Sequence, residues 1–456
     1  MKKALFFCGA LVFNAFVSNA QSWQFVGNPG FSLVGVSSLD MEFDNNGTPY
    51  VAYIENISTR AVVRKFDGND WVLVGDSAFS PVSAAYISLA FNSAGVPYVA
   101  YSDGSNSGKL NVMKFNGTNW VYVGIAGVSA GAVEFVDLAF NSNDEPYVVF
   151  KDWANGEKAT VLKHNGTMWV NVGNPGFSVG QSRYNKIVID TNDVPYVGFS
   201  DLSFGAKASV MKFDGNNWVF VVDTTISNGT VYDISMNVDN SNEIMIAYME
   251  PAAGGKAVVK KLSGNTWTDV GTYGVSNGQV YYTSLAIDNN NHPLVGFADA
   301  TVNTKSTVLK YDGNNWQAVG NAGFSNGTSH FVKLAVSPNN DYYLAFADDS
   351  NSVMKSLSVM RYGYPASIDN ILQHTGKLQV YPNPAKDFVM IDLPNPSSII
   401  NVKIIDSKGG LVSEIKSIEN NKLELNIEEL PEGIYFVFVN QKDATQHVCK
   451  FLKISQ

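Results

Sequence analysis

Five aromatic residues recur at nearly even spacing along this 456-residue chain: Tyr86, Phe135, Tyr184, Tyr282 and Phe331. Each stands near the start of a short apolar segment. A carboxylate closes the following segment in all seven copies: Glu55, Asp103, Asp152, Asp201, Glu250, Asp299 and Asp348. Rings and carboxylates gathered on one surface suit sugars, whose C–H faces pack on aromatic rings while their hydroxyls donate to carboxylates. Tyr86, Phe135, Tyr184, Tyr282, Phe331, Asp103, Asp152, Asp201 and Asp299 are therefore candidate ligand-binding residues. Trp153 joins them because it falls in a variable connection outside the period, where binding residues concentrate.

Each set also has a plainer explanation. The aromatics can be core side chains under a solvated rim. A cation follows most of the carboxylates (Arg60, Lys109, Lys158, Lys207, Lys256, Lys305). An exposed ion pair across that hairpin would contribute ~0–1 kcal/mol.

Other chemistry has less to stand on. A serine falls nine residues after tryptophan in every unit (Ser32 to Ser325), but no histidine or acid keeps a fixed offset to activate it. A hydroxyl bonded to its own loop backbone accounts for it. Asp44-x-Asn46, Asn141-x-Asn143, Asp190-x-Asn192, Asp239-x-Ser241 and Asp288-x-Asn290 resemble the opening of a calcium loop. They lack its later glycine and bidentate glutamate, so Asx-turns are the simpler expectation and calcium the minor one. The five histidines are scattered, and neither a zinc motif nor a phosphate-binding loop is present. No metal or other cofactor and no catalysis are expected.

The elements that would position these residues come from one repeat. Tryptophans at 23, 71, 120, 169, 218, 267 and 316 are spaced 48 and then 49 residues apart, six of them in the hairpin-like setting Gly-x-x-Trp. Each period holds four strand-like segments, such as YISLAF, PYVAYSD, KLNVMKF and NWVYVG over 86–124. They are rich in Val, Tyr and Phe and parted by Asn, Asp, Gly and Ser, with no helical periodicity. Four strands per fifty residues is the pattern of a β-propeller blade. Seven copies exist, but the seventh lacks its tryptophan strand after Arg361, while Trp23-Gln24-Phe25-Val26-Gly27 begins without a strand to pair with. An all-β, seven-bladed propeller over 21–362, closed by its N-terminal strand, follows. In such a propeller the aromatics and the carboxylates belong to one face, around the channel mouth.

Residues 1–20 have the form of a signal peptide: Lys2 and Lys3, an apolar stretch from Ala4 to Val17, and Ser18-Asn19-Ala20 as a cleavage site. Cleavage there removes Cys8 and leaves Cys449 alone, so no intramolecular disulfide is possible. No later run is long enough to span a bilayer. The formal charge of −10 and the lack of a Lys/Arg stripe argue against nucleic acid as a partner.

After a linker at 363–378 a second, smaller β-sandwich is expected over 379–456. YPNPAKD (381–387), DSKGGLV (406–412), LPEGIYFVFV (430–439) and KFLK (450–453) make this segment resemble the type A C-terminal sorting domain of the type IX secretion system of Bacteroidetes. Pro382, Asn383, Pro384, Gly433, Tyr435 and Lys450 carry the resemblance. It implies handling by the type IX machinery, passage across the outer membrane, and a secreted or surface-attached product. The propeller repeat is similar to kelch-like and fucose-lectin-like propellers, without the doubled glycines of the former or the arginine cluster of sialidases. The expected function is a secreted or surface-displayed binding protein, with glycan as ligand. A protein-binding scaffold or adhesion module is the alternative, and a glycan-degrading enzyme a more distant one.

Overall fold

The computed structural model describes residues 21–350, 353, 355–363, 380–393, 399–406, 411–415, 422–441 and 446–454. The expected signal peptide and nearly all of the expected linker lie outside them. The described chain forms two compact units, one of them covering Gln21–Gly363.

Segments such as Pro97–Asp103, Pro146–Asp152 and Pro293–Asp299 are buried along their whole length. A strand can be buried on both sides only when each sheet face packs on another sheet, and in a propeller each blade packs between two others. Seven four-stranded antiparallel sheets result. The first runs Val36–Phe43, Pro49–Glu55, Ala61–Phe66 and Trp71–Leu73 from channel to rim. In the seventh, Ser22–Phe25 pairs with Ser356–Gly363 as the outer strand, Ser22 opposite Gly363 and Phe25 opposite Met360. The closure expected from sequence is therefore observed.

Neighbouring blades are joined at the rim by the periodic tryptophans. Each indole Nε1–H donates to a carbonyl in the preceding blade's outer segment: Trp71 to Val26, Trp120 to Val74 and Trp218 to Val172, all at 2.7 Å. Trp23 makes the same bond to Val319 and stacks on Phe324 at 4.2 Å, so the closing strand is clamped like the others. The indole lies so near the preceding blade that glycine stands four residues after six of the seven tryptophans, Val222 being the exception. At Gly75 φ is +76° and an added Cβ would stand 3.1 Å from Trp120. The repeated serines do as expected. Ser80 Oγ accepts from Ala61 N at 2.9 Å and donates to Val82 O, and Ser32 Oγ bonds Leu357 N across the closure.

Along the channel a second repeated position links the inner strands: Asp40, Ser88, Asp137, Lys186, Ser235, Ser284 and Lys333. The acids and serines accept an N–H from the next blade, as in Leu89 N to Asp40, Leu138 N to Ser88 and Ile187 N to Asp137. Lysine cannot accept. At the two lysine positions the ammonium instead pairs with the neighbouring acid, Lys186 with Asp137 and Lys333 with Asp40, each at 2.8 Å. Burial opposes ionisation of Asp40, but Lys333 and then Lys186 outweigh it and hold the carboxyl below its ordinary value. Glu42, one step further down the same wall, has no hydrogen-bond partner among the described residues. Burial raises its pKa to about 7, with Lys333 opposing, Asp40 and Asp137 adding to the rise, and Lys186 opposing.

The other end of each blade is held by the Asp-x-Asn turns. Asp44 Oδ1 accepts from Asn46 N and Thr48 N, both at 2.9 Å, and Asp190, Asp239 and Asp288 repeat the pattern. These are Asx-turns. They also touch across blades, with Ser93 N donating to Asp144 and Ser142 N to Asp193.

The C-terminal unit has a three-stranded sheet (Val380–Tyr381, Phe388–Asp392, Lys422–Asn426) and a four-stranded one (Leu411–Ile415, Ile399–Asp406, Gly433–Gln441, Gln446–Lys453). Val389, Ile391, Leu425, Val402, Ile404, Val437 and Phe451 form one core between them, as the expected β-sandwich requires. The single cysteine left after residue 20, Cys449, is buried in it.

Two outcomes follow. Trp23→Ala removes a buried indole, its hydrogen bond and its stack on Phe324, and should lower stability by about 3–5 kcal/mol in urea unfolding. For Glu42, a folded pKa near 7 against an unfolded value of 4.5 means ionisation costs stability, and the cost grows as pH rises through that window. Glu42→Gln should therefore raise the melting temperature clearly at pH 8 and much less at pH 5, read by thermal melts across the range.

Candidate functional site

The five candidate aromatics come together. Six of the seven inner strands have a β-bulge at the same place, the first blade's irregularity falling earlier, between Val36 and Ser38. In the second blade Ala85 pairs with Ser102 and Ser88 with Ala100, leaving Tyr86 and Ile87 opposite one residue. The bulged residue takes a left-handed conformation, with φ of 54° at Tyr86, 50° at Phe135, 55° at Tyr184, 57° at Tyr282 and 52° at Phe331. Such angles are unfavourable for large side chains. A bulge that re-aims a side chain is a common use of this irregularity. Here it turns each ring into the channel mouth. Successive rings touch, Tyr86 and Phe135 at 5.2 Å, Phe135 and Tyr184 at 5.2 Å, Tyr282 and Phe331 at 5.3 Å.

This collar surrounds a cavity of about 220 Å³, whose wall also holds Ser38, Asn185, Asp233 and Thr283. Below it lies a second cavity of about 260 Å³ lined by Glu42, Asp137 and Ser88, and Asp40, Lys186, Ser235 and Lys333 border both. The aromatics are half-buried, and burial pushes the phenols of Tyr86, Tyr184 and Tyr282 up.

The candidate carboxylates do not join them, and the expected ion pairs are not formed. The register does place Asp103 opposite both Ala84 and Lys109, at the mouth end of the blade. Asp103, Asp152, Asp201 and Asp299 are nonetheless buried, 0–3% exposed, and turned beneath the loop that follows. Each caps a single 3-10 turn: Asp103 accepts from Ser105 N, Asp152 from Ala154 N, Asp201 from Ser203 N and Asp299 from Thr301 N, at 2.9–3.0 Å. Their second oxygens are engaged too, Asp103 by Asn111 and Asp152 by Thr160. Among the described residues no ion pair links them to Lys109, Lys158, Lys207 or Lys305. A buried carboxylate needs such donors, and one N–H of the tight turn together with a neighbouring side chain or loop N–H supplies them where a solvated lysine tip would not.

Trp153 is 51% exposed and lies in the turn that Asp152 caps. Lys151 Nζ stands 5.3 Å over its ring and is itself buried against Glu134, at 3.2 Å, and Glu157. Glu134 precedes Phe135, so Trp153 sits at the edge of the collar and not within it.

Other members of the site escaped the sequence reading. Asp233 occupies the fifth blade's collar position, with φ of 53°, and Tyr232 stands one place before it. Asn185 and Thr283 replace the Leu, Ile or Val found at that position in the other blades, and their buried polar side-chain atoms have no partner among the described residues. Each is a departure from the repeat, and that departure was the available signal.

In the second unit the sorting-motif residues form one patch. Asn383 bridges Pro382 and Pro384 to the last strand, donating to Lys450 O at 3.1 Å and accepting from Leu452 N at 2.9 Å. Tyr435 donates to Pro431 O and stacks on Phe451, and Gly433 pairs with Lys453.

Residues 379–453 match the family model of the secretion system C-terminal sorting domain. No curated protein matches the sequence. Among solved structures, a fungal alcohol oxidase of the AA5 family in complex with copper is 10% identical, with 95% of this chain and 99% of that one covered and a TM-score of 0.52. An ulvan lyase of polysaccharide lyase family PL25 is 11% identical over 76% and 97% of the two chains, with a TM-score of 0.48. The SapL1 lectin in complex with α-methyl fucoside is 14% identical over 65% and 100%, with a TM-score of 0.45. Likeness at such identities concerns the fold alone. Among the described residues no helix is long and apolar enough to cross a membrane. The chain is a seven-bladed β-propeller carrying, at 379–453, a secretion system C-terminal sorting domain, and so belongs among the proteins exported to the cell surface or beyond by that route.

Proposed function

We propose that the propeller is a glycan-binding module displayed or released outside the cell, with a single site at the channel mouth and no catalytic role. The observation that carries this is the convergence of five aromatic rings on one opening whose wall holds Asp233, Asn185 and Thr283. Aromatic surface with a few polar groups that lack protein partners is what a sugar requires, because each hydroxyl must exchange its water for a fixed donor or acceptor. A cavity of about 220 Å³ takes a terminal sugar or a short branch, not a chain threaded through the channel. Trp153, exposed at the edge of the collar, extends the surface for a second ring of the same glycan.

The full mature chain should bind at least one ligand on a glycan array, and Tyr184→Ala and Tyr282→Ala should each weaken it about tenfold by calorimetry without lowering the melting temperature much. Trp153→Ala should weaken longer glycans more than monosaccharides. Failure on every glycan, with capture of a cell-surface protein instead, favours the scaffold alternative. Release of reducing ends from a polysaccharide, lost on Asp233→Asn, would overturn the non-catalytic assignment.

A further inference from the structure

The collar has seven positions and five rings. Where rings are adjacent, their planes differ by 48–51°. That is about one seventh of a turn, the rotation between neighbouring blades, so the ring planes run along the channel axis. At 5.2–5.3 Å between centroids, rings set broadside across the opening would bring edge carbons well inside their contact distance of about 3.5–4.0 Å. The rings therefore stand like the vanes of a turbine, each turning its faces to its neighbours. Within the row, a face is covered by the next ring. It is left open only where the row is broken, at Ser38 and at Asp233.

The break at Asp233 has the composition of a cation site. Tyr184 and Tyr282 flank it, and Tyr232 makes a T-shaped contact with Tyr184 at 6.2 Å. Centroids placed on a seven-membered ring with these sides put Tyr184 and Tyr282 about 9 Å apart, so a group midway is within the ~6 Å reach of both π-faces. At its base, Asp233 Oδ2 accepts from Tyr282 N at 2.7 Å, while Oδ1 has no partner among the described residues. Among the described residues no lysine or arginine pairs with this carboxylate. Burial pushes its pKa up, and the Tyr282 N–H offsets only part of that. The two lysines that border the cavity are already committed, Lys186 to Asp137 and Lys333 to Asp40. Across both cavities Asp40, Glu42, Asp137 and Asp233 face two ammonium groups, which leaves an excess of carboxylate with nothing to balance it.

We infer that the Asp233 gap binds its ligand through an ammonium group, held between the faces of Tyr184 and Tyr282 and against the free oxygen of Asp233. An ammonium ion supplies both what the open ring faces attract and what the unpaired carboxylate lacks. The inference rests on the mouth being a ligand site, as proposed above, but not on the ligand being a sugar. An amino sugar with a free amine and a small quaternary amine present the same chemistry.

The full mature protein is titrated calorimetrically with glucosamine, glucose, choline and the uncharged tert-butyl analogue of choline. At least one charged ligand should bind about tenfold or more tighter than its neutral counterpart. Asp233→Asn, which keeps an acceptor for Tyr282 N, should abolish that preference. Tyr184→Leu should reduce it while leaving the carboxylate in place, and this serves if the first variant misfolds. Preference for glucosamine over choline identifies an amino sugar, and the reverse a quaternary amine. Equal binding of charged and neutral members, or no binding of either charged ligand, overturns the inference. Binding of neutral sugars alone does so while sparing the glycan proposal; choline binding without any glycan binding has the opposite effect.

Discussion

The structure depends on a clamp between blades that reaches from the indole N–H of one tryptophan to a carbonyl of the preceding sheet. A four-stranded sheet with an outer strand of three residues, such as Trp71–Leu73, has little to hold its edge. The indole supplies that edge with a buried ring and a hydrogen bond to its neighbour, and does so seven times around the circle. Because every clamp joins consecutive blades, the ring is only as strong as its last seam. At that seam Trp23 comes from one end of the propeller and Val319, Tyr362 and Phe324 from the other. Ser32 adds a bond to Leu357 on the same join. The N-terminal segment thus turns an open stack of sheets into a closed frame, and the mouth exists only once the circle is closed.

The clamp also explains a local irregularity. Four residues after the tryptophan, six blades have glycine and the fourth has Val222, held at φ of 70° and 47% exposed. Where glycine stands, the next indole approaches to within hydrogen-bonding distance at 2.7 Å, as at Trp71, Trp120 and Trp316. Over Val222 the corresponding bond from Trp267 to Val221 O lengthens to 3.0 Å. The extra side chain is accommodated by a slight opening of the seam, beside which a cavity is lined by Phe220, Val222 and Leu262. One isopropyl group at a close approach is enough to make two otherwise equivalent interfaces differ.

Much of this frame was legible because repetition substitutes for long-range information. Spacing of 49 residues gave the blades, and the mismatch between a missing strand after Arg361 and an unpaired one at Trp23 gave the closure. The sorting segment was legible from short motifs whose residues meet locally, as Asn383 does with Lys450 and Leu452. The carboxylates were misplaced for a physical reason. A strand-ending Asp followed by a cation looks the same whether the acid faces water or folds under a turn, and only the 3-10 turn that follows decides it. Asp103 bonds Ser105, Asn111 and nothing ionic, although Lys109 is its strand partner.

The distinction between frame and site in this molecule is therefore one of symmetry. Groups that serve every blade alike, such as Trp71, Ser80, Asp201 and the Asx-turn acids, find their partners within the protein, although Asp348, the seventh blade's copy of Asp201, keeps one oxygen without a partner among the described residues. Groups that occur once have no equivalent partner to meet, because the neighbouring blades are built for something else. Asp233 stands where five other blades place a ring, and the channel offers it one backbone N–H. Asn185 stands where a Leu, Ile or Val usually packs, and its amide has neither donor nor acceptor in reach. Glu42 faces alanine, valine or asparagine at the matching positions, and burial holds its pKa near 7. A folded protein tolerates such unmet polar groups at a cost of about 1–3 kcal/mol each. That three of them collect around one channel, and that the collar opens beside Asp233, is what gives a sevenfold frame a direction in which a ligand can be recognised.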